Sequence, residues 1–156
     1  MLDDDMKRTV LAQRLGYVAS VCPDGTPNLS PKGTTAVWDD RHLVFLDLQS
    51  PQTIGNIEAG NRVVEINVVD PIRRKGYRFK GPATVLREGA LYDDVVRRYE
   101  DERGIDRARI QAVVMVDVEH AAPIVSPAYD DGSTEDQIAQ RSLTMYGLTR
   151  APTTAS

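Results

Sequence analysis

Two rhythms of apolar and polar positions divide this chain. Thr34 to Trp38 is β-branched and aromatic, and His42 to Leu48 is a compact apolar run broken by one carboxylate, Asp47. Arg62 to Val69 is nearly continuous Val and Ile, interrupted by Glu65 and Asn67, which predicts one protected face. Tyr77 and Phe79 alternate against Arg78 and Lys80, the period of a half-exposed strand. Together with Tyr17–Cys22 and Ala112–Val118, these segments predict six strands: 17–22, 28–38, 43–48, 62–69, 76–86 and 112–118.

The helical rhythm occupies the gaps. Asp3 to Arg14 opens with carboxylates that complement the helix dipole and has Gly16 near its end. Ser50-Pro51 offers a hydroxyl N-cap followed by proline at the first helical position, and Gly60 closes that helix after Ile54 and Ile57. Leu91, Val95 and Tyr99 fall at i, i+4, i+8 in a helix over 91–103 that Gly104 ends. Ser126 to Gly132 reads as loop, after which Ser133 caps a last helix over 133–146 with Ala139, Leu143 and Tyr146 on one stripe. Asp24-Gly25 and Asp39-Asp40 are turn chemistry. Short strands in succession with peripheral helices predict a mainly β, antiparallel barrel rather than a parallel α/β sheet. The 156 residues predict one domain over 1–150, with 151–156 (APTTAS) as a disordered tail.

Composition narrows the function classes. A net charge of −4 and a pI near 5.2 argue against nucleic acid as partner. No apolar run approaches the roughly 18 residues of a membrane span, and MLDDDMKR lacks the apolar core of a signal peptide. One cysteine, Cys22, excludes an internal disulfide and agrees with a reducing, cytoplasmic setting.

Catalytic motifs are sparse. Cys22 has no nearby histidine or cation and reads as a half-buried structural thiol. His42 and His120 lack ligand spacing, with His42 expected to be solvated. Asp130-Asp131-Gly132 reads as a turn rather than a calcium loop. GxGxxG, GxxxxGK[ST] and GxSxG are all missing. What stands out is Asp24 to Asn56, in which strand, turn and strand deliver the chain to a hydroxyl-rich helix start. A helix start presents free N–H groups and positive potential, a ready anion site. Beside it, Ser30-Pro31-Lys32-Gly33 reads either as a ligand-lining strand or as a β-bulge with a solvated lysine.

The run Gly25 to Asn56, followed by RVVEINVV, Pro71 and KGYRFKG, resembles the FMN-binding split-barrel family related to pyridoxamine 5′-phosphate oxidase. The likeness covers Met1 to about Val125. It implies a six-stranded antiparallel split β-barrel that forms a homodimer, with FMN held across the subunit interface. By the same likeness, Ser30, Pro31, Lys32 and Gly33 would lie along the isoalloxazine ring. Ser50, Gln52 and Thr53 would meet the phosphate, with Asp47 and Leu48 at the pocket floor.

The chain departs from the family pattern at Gln52, where many relatives have Lys or Arg. That loss removes a charge-assisted contact of roughly 1.5–3 kcal/mol, about ten- to a hundredfold in affinity. Lys75, Arg78 or Lys80, on a strand the likeness places near the partner's flavin, is the expected replacement. The resemblance implies an oxidoreductase on an unknown small substrate. Pyridoxamine phosphate oxidation itself is not expected, since the only tryptophan is Trp38 and the C-terminus is short and polar. The alternatives are a flavin carrier without substrate, or a relative that has lost FMN and binds a deazaflavin, haem or nothing.

Overall fold

The computed structural model describes residues 1–148, so the expected tail at 151–156 lies outside the described residues. Helix α1 (Asp4–Gln13) is capped by the Asp3 carboxylate and leads into strands β1 (Gly16–Val21), β2 (Pro27–Lys32), β3 (Ala36–Val37) and β4 (His42–Asp47). Helix α2 (Pro51–Glu58) precedes β5 (Val63–Asp70) and the long β6 (Lys75–Leu86). Helix α3 (Ala90–Arg103), β7 (Ala112–Asp117), β8 (His120–Val125) and α4 (Glu135–Met145) complete the order.

All strand pairs are antiparallel, in the order β2-β1-β5-β6-β7-β4-β3, with β8 on β6. The split arises on β6. Its first half pairs with β8 and its second half with β7, so the sheet divides along one edge of a twelve-residue strand. Gly81 makes the corner possible, because a Cβ there would sit 1.7 Å from the Asp117 carbonyl oxygen.

The strand patterns explain the layers. Leu43 to Asp47 and Ala112 to Val116 are buried residue after residue because both faces of β4 and β7 are covered. One face joins the barrel interior with Val18, Ile66, Phe79 and Phe45, together with Ile54 and Ile57 of α2. The other face carries Val44, Leu46, Val113 and Met115 under Val95, Val96 and Tyr99 of α3. By contrast β1, β5 and β6 alternate, since only their inner face is covered. The protected face expected of 62–69 is Val64, Ile66 and Val68.

Several local expectations are corrected. The segment 28–38 is two strands separated by a turn at 33–35, and β8 adds a strand whose largely exposed HAAPIV sequence gave no strand signal. Gly16 begins β1 rather than ending α1; Arg14, at φ 57°, is the helix C-cap. The last helix is capped by Thr134, in a capping box with Gln137, not by Ser133. Its buried residues are Ile138 and Ser142, while Tyr146 is exposed. Leu91 is 42% exposed, so the buried stripe of α3 is Val95, Val96 and Tyr99. His42 is not simply solvated: its Nδ1 lies 2.8 Å from Asp39 Oδ1.

Candidate functional site

The register of the β1–β2 hairpin sets Ser30 opposite Val18 and Lys32 opposite Gly16. Val18 is fully buried, so Ser30 and Lys32 project to the inner side, where α2 crosses the hairpin. Lys32 is only 4% exposed. Its ammonium donates to Ser30 Oγ at 2.7 Å and to Ser50 Oγ, and lies 5.8 Å from the centre of the Phe45 ring. Burial lowers the Lys32 pKa below the ordinary lysine value of 10.5, and the buried Asp47 carboxylate opposes that shift.

Ser50 is the residue before α2, yet its hydroxyl makes no capping bond. It accepts from Lys32 instead, while the Ser50 N–H donates to Asp47 Oδ1 at 2.7 Å. The expectation of a hydroxyl N-cap is thereby corrected: a buried cation competes for the same oxygen. Because Ser30 and Ser50 both accept from Lys32, each keeps its own O–H free to donate outward. Pro51 has no N–H, and the N–H groups of Gln52 and Thr53 have no backbone acceptor at this helix start.

The remaining expected residues divide. Thr53 is buried and accepts from Asn28 Nδ2 at 3.2 Å. Gln52 turns back along α2, donating to Asn56 Oδ1 at 2.9 Å and lying 3.7 Å from Cys22 Sγ. Asn56 in turn donates to Ser20 Oγ at 3.0 Å, so a polar network pins α2 to the hairpin. Pro31 and Gly33 are exposed, and a Cβ at Gly33 would meet nothing within 4 Å. Leu48 is half-buried, its carbonyl accepting from Gln111 Nε2 at 3.2 Å. Lys75 pairs with Glu135, while Arg78 and Lys80 flank Glu65 on the outer face of the sheet. Within the protomer none of the three contacts Lys32, Ser50 or Thr53.

The turn after Lys32 is held from behind by α3, which sequence reasoning did not connect to it. The Tyr99 hydroxyl donates to the Thr34 carbonyl, and Arg103 donates to the carbonyls of Gly33 at 3.3 Å and Thr35 at 3.2 Å. Thr34 Oγ1 accepts the Leu46 N–H at 2.9 Å, tying the same turn to β4. A cavity of about 310 Å³ beside the loop before α2 is lined by Leu48, Gln49, Ala108, Arg109 and Gln111. It brings Arg109 to that loop from about 60 residues away in sequence, beyond any local motif.

This arrangement of hairpin, turn, apolar strand and hydroxyl-rich helix start spans the region matched by a family model. The model, described as pyridoxamine 5′-phosphate oxidase, matches residues 2–122. The chain belongs to the pyridoxamine 5′-phosphate oxidase family. HupZ of Group A Streptococcus is 34% identical, with a TM-score of 0.71 over 81% of this chain and 96% of that one. An FMN-binding protein from Syntrophomonas wolfei is 12% identical, with a TM-score of 0.65 over 79% of this chain and 86% of that one. An FAD-binding protein from Mesorhizobium loti is 20% identical, with a TM-score of 0.57 over 78% and 94%. The last two show a shared fold. No curated protein matches the sequence. No described helix is long and apolar enough to cross a membrane, and no described cluster of His, Cys, Asp and Glu could hold a metal ion.

Proposed function

We propose that this member of the family binds FMN as a homodimer and serves as an oxidoreductase for a small substrate. The observation that carries the reading is the buried Lys32 ammonium charging two hydroxyls, Ser30 and Ser50, at the start of α2. A phosphate monoester calls for O–H and N–H donors under positive potential. The donor set fits: two free hydroxyl protons, the unpaired N–H groups of Gln52 and Thr53, and the dipole of α2. Asp47 does not spoil it, since that carboxylate is turned to the Ser50 N–H and faces Lys32.

In this reading Lys32 supplies the charge that Gln52 lacks, from inside the hairpin rather than from Lys75, Arg78 or Lys80. The exposed edge of Pro31 and Gly33, with open space over Gly33, would accept the flat ring, and α3 holds that edge in shape through Tyr99 and Arg103. When bound, the flavin supplies the hydride or electron chemistry. The chain would bind the phosphate and fix the ring edge. FMN-binding and FAD-binding proteins among the structural neighbours support a flavin as the ligand class.

An uncovered sheet face supports the homodimer in this reading. Leu29 (65% exposed), Val63 (56%), Val21 and Tyr17 stand on the outer side of β2, β5 and β1, where no described helix packs. A second copy would cover these apolar side chains.

The test is an absorbance spectrum of freshly purified protein, repeated after incubation with FMN or riboflavin and removal of the excess. Flavin bands that persist with FMN and wash out with riboflavin support a phosphate-gripping site. A protein that retains neither is not a flavoprotein.

A further inference from the structure

A second cavity, of about 470 Å³, opens between α1, β3 and α3, away from the start of α2. Its volume falls within the range of small-molecule sites. Leu11, Val37 and Trp38 give it an apolar wall, and Arg14, Arg98 and Arg103 stand around that wall. Lys7 and Arg8 complete five cationic side chains, against only two carboxylates, Asp4 and Glu102. With Asp5 and Asp40, which pair with Arg8 and Lys7, the five cations face four carboxylates, a local excess of one positive charge in a chain of net charge −4.

Three of the five are paired, Lys7 with Asp40, Arg8 with Asp5 and Arg98 with Glu102, which leaves Arg14 and Arg103 to meet an anion. Arg103 is fixed by the Gly33 and Thr35 carbonyls and by the Tyr99 ring, 5.1 Å from its guanidinium carbon. Arg98 lies 5.6 Å from the Trp38 ring centre and donates to the Val37 carbonyl at 3.2 Å. Arg14, in the left-handed conformation at the end of α1, contacts only the Leu11 carbonyl, at 3.4 Å. Among the described residues neither Arg14 nor Arg103 has a carboxylate within ion-pair distance. The Arg103 guanidinium, already stacked on Tyr99 and held by two carbonyls, loses little ordering entropy on binding an anion.

We infer that this cavity is a binding site for a planar aromatic anion, such as an aromatic carboxylate, sulfonate or phosphate. The ring system would lie against Leu11, Val37 and Trp38, and the anionic group would sit between Arg14 and Arg103. The inference does not depend on the flavin reading: Ser30, Lys32 and Ser50 do not line the cavity, and Arg103 reaches the Gly33 turn only through backbone carbonyls.

Trp38 is the only tryptophan, so its emission reports on this cavity alone. The probe is 1-anilinonaphthalene-8-sulfonate, compared with N-phenyl-1-naphthylamine, which has the same rings without the sulfonate. The full-length protein should show saturable energy transfer from Trp38 to the sulfonate, with affinity about tenfold above that for the uncharged dye. Leu11 is 66% exposed, so Leu11→Glu should fold normally while abolishing transfer by placing a carboxylate in the cavity. Arg14→Gln should weaken binding several-fold and flatten its salt dependence. Equal affinity for the two dyes, or unchanged binding in both variants, would overturn the inference.

Discussion

The Lys32 ammonium, on the inner side of the edge strand β2, donates to the hydroxyl of Ser50, eighteen residues later at the start of α2. The same ammonium holds Ser30, so one desolvated charge organises both hydroxyls of the proposed phosphate site. Lys32→Met preserves the length of the side chain but removes that charge. FMN affinity should fall about ten- to a hundredfold, as for loss of one charged contact, while riboflavin binding changes little. Isothermal titration with both ligands checks this, and equal losses for the two would place Lys32 outside the phosphate site.

The lowered Lys32 pKa gives the site an alkaline limit. Between the folded and unfolded values the unfolded chain binds the extra proton, so the Lys32 contribution to stability rises with pH and is complete above the unfolded value. Phosphate binding runs the other way, since it needs the protonated ammonium. FMN affinity should therefore decline at a pH below 10.5, as Lys32 loses its proton, and should also decline on acidification as the phosphate dianion is protonated near pH ~6. Lys32→Arg, with a guanidinium that stays charged, should remove the alkaline decline and leave the acidic one.

Tyr99 reaches from α3 to the Thr34 carbonyl across 65 residues of sequence. Tyr99→Phe leaves that buried carbonyl without its donor, and the loss should be about 1–3 kcal/mol, measured by urea unfolding. The same variant should release bound FMN faster, because the turn carrying Gly33 is then held by Arg103 alone on that side. Unaltered FMN release at reduced stability would separate the buttress from the site.

Much of this architecture was legible in side-chain periodicity. Six strand segments and four helices emerge from it because β4 and β7 are covered on both faces and read as continuous apolar runs, whereas β5 and β6 alternate. β8 was hidden because HAAPIV has no alternation, carries a proline and is exposed at every position but Ile124, a strand only through its pairing with β6. The hydroxyl-rich helix start was visible at Ser50, but not the direction of its hydroxyl, since Lys32 approaches from another strand. Similarly the links from Tyr99 and Arg103 to the turn at 33–35 span more than 60 residues, and no local pattern encodes them.

Gly81 lies where the chain passes from β7 to β8, and the space for a side chain is already filled by the Asp117 carbonyl, 1.7 Å from the position of a Cβ. Gly81→Ala should cost at least ~3 kcal/mol, as the obstacle is backbone and cannot swing aside. Thermal unfolding or loss of soluble expression would register it. Gly33→Ala, by contrast, meets nothing within 4 Å and should leave unfolding unchanged while weakening FMN binding, since the new methyl projects into the space proposed for the ring.

The outer sheet face decides whether the flavin reading requires two chains. Leu29 and Val63 are more than half exposed on β2 and β5, strands flanking β1, where Tyr17 and Val21 continue the same face. A lysine at either position costs the lone protomer little, because neither side chain packs in its core. In a dimer it would bury an unpaired charge, which is strongly destabilising. Sedimentation equilibrium should therefore give twice 17.3 kDa for the parent protein and 17.3 kDa for the Leu29→Lys, Val63→Lys double variant, with unfolding of the protomer unaffected. If FMN is held between protomers, the double variant should lose the cofactor as it dissociates. A dimer that persists in the variant would move the interface elsewhere, and a monomeric parent that still retains FMN would confine the flavin to a single chain.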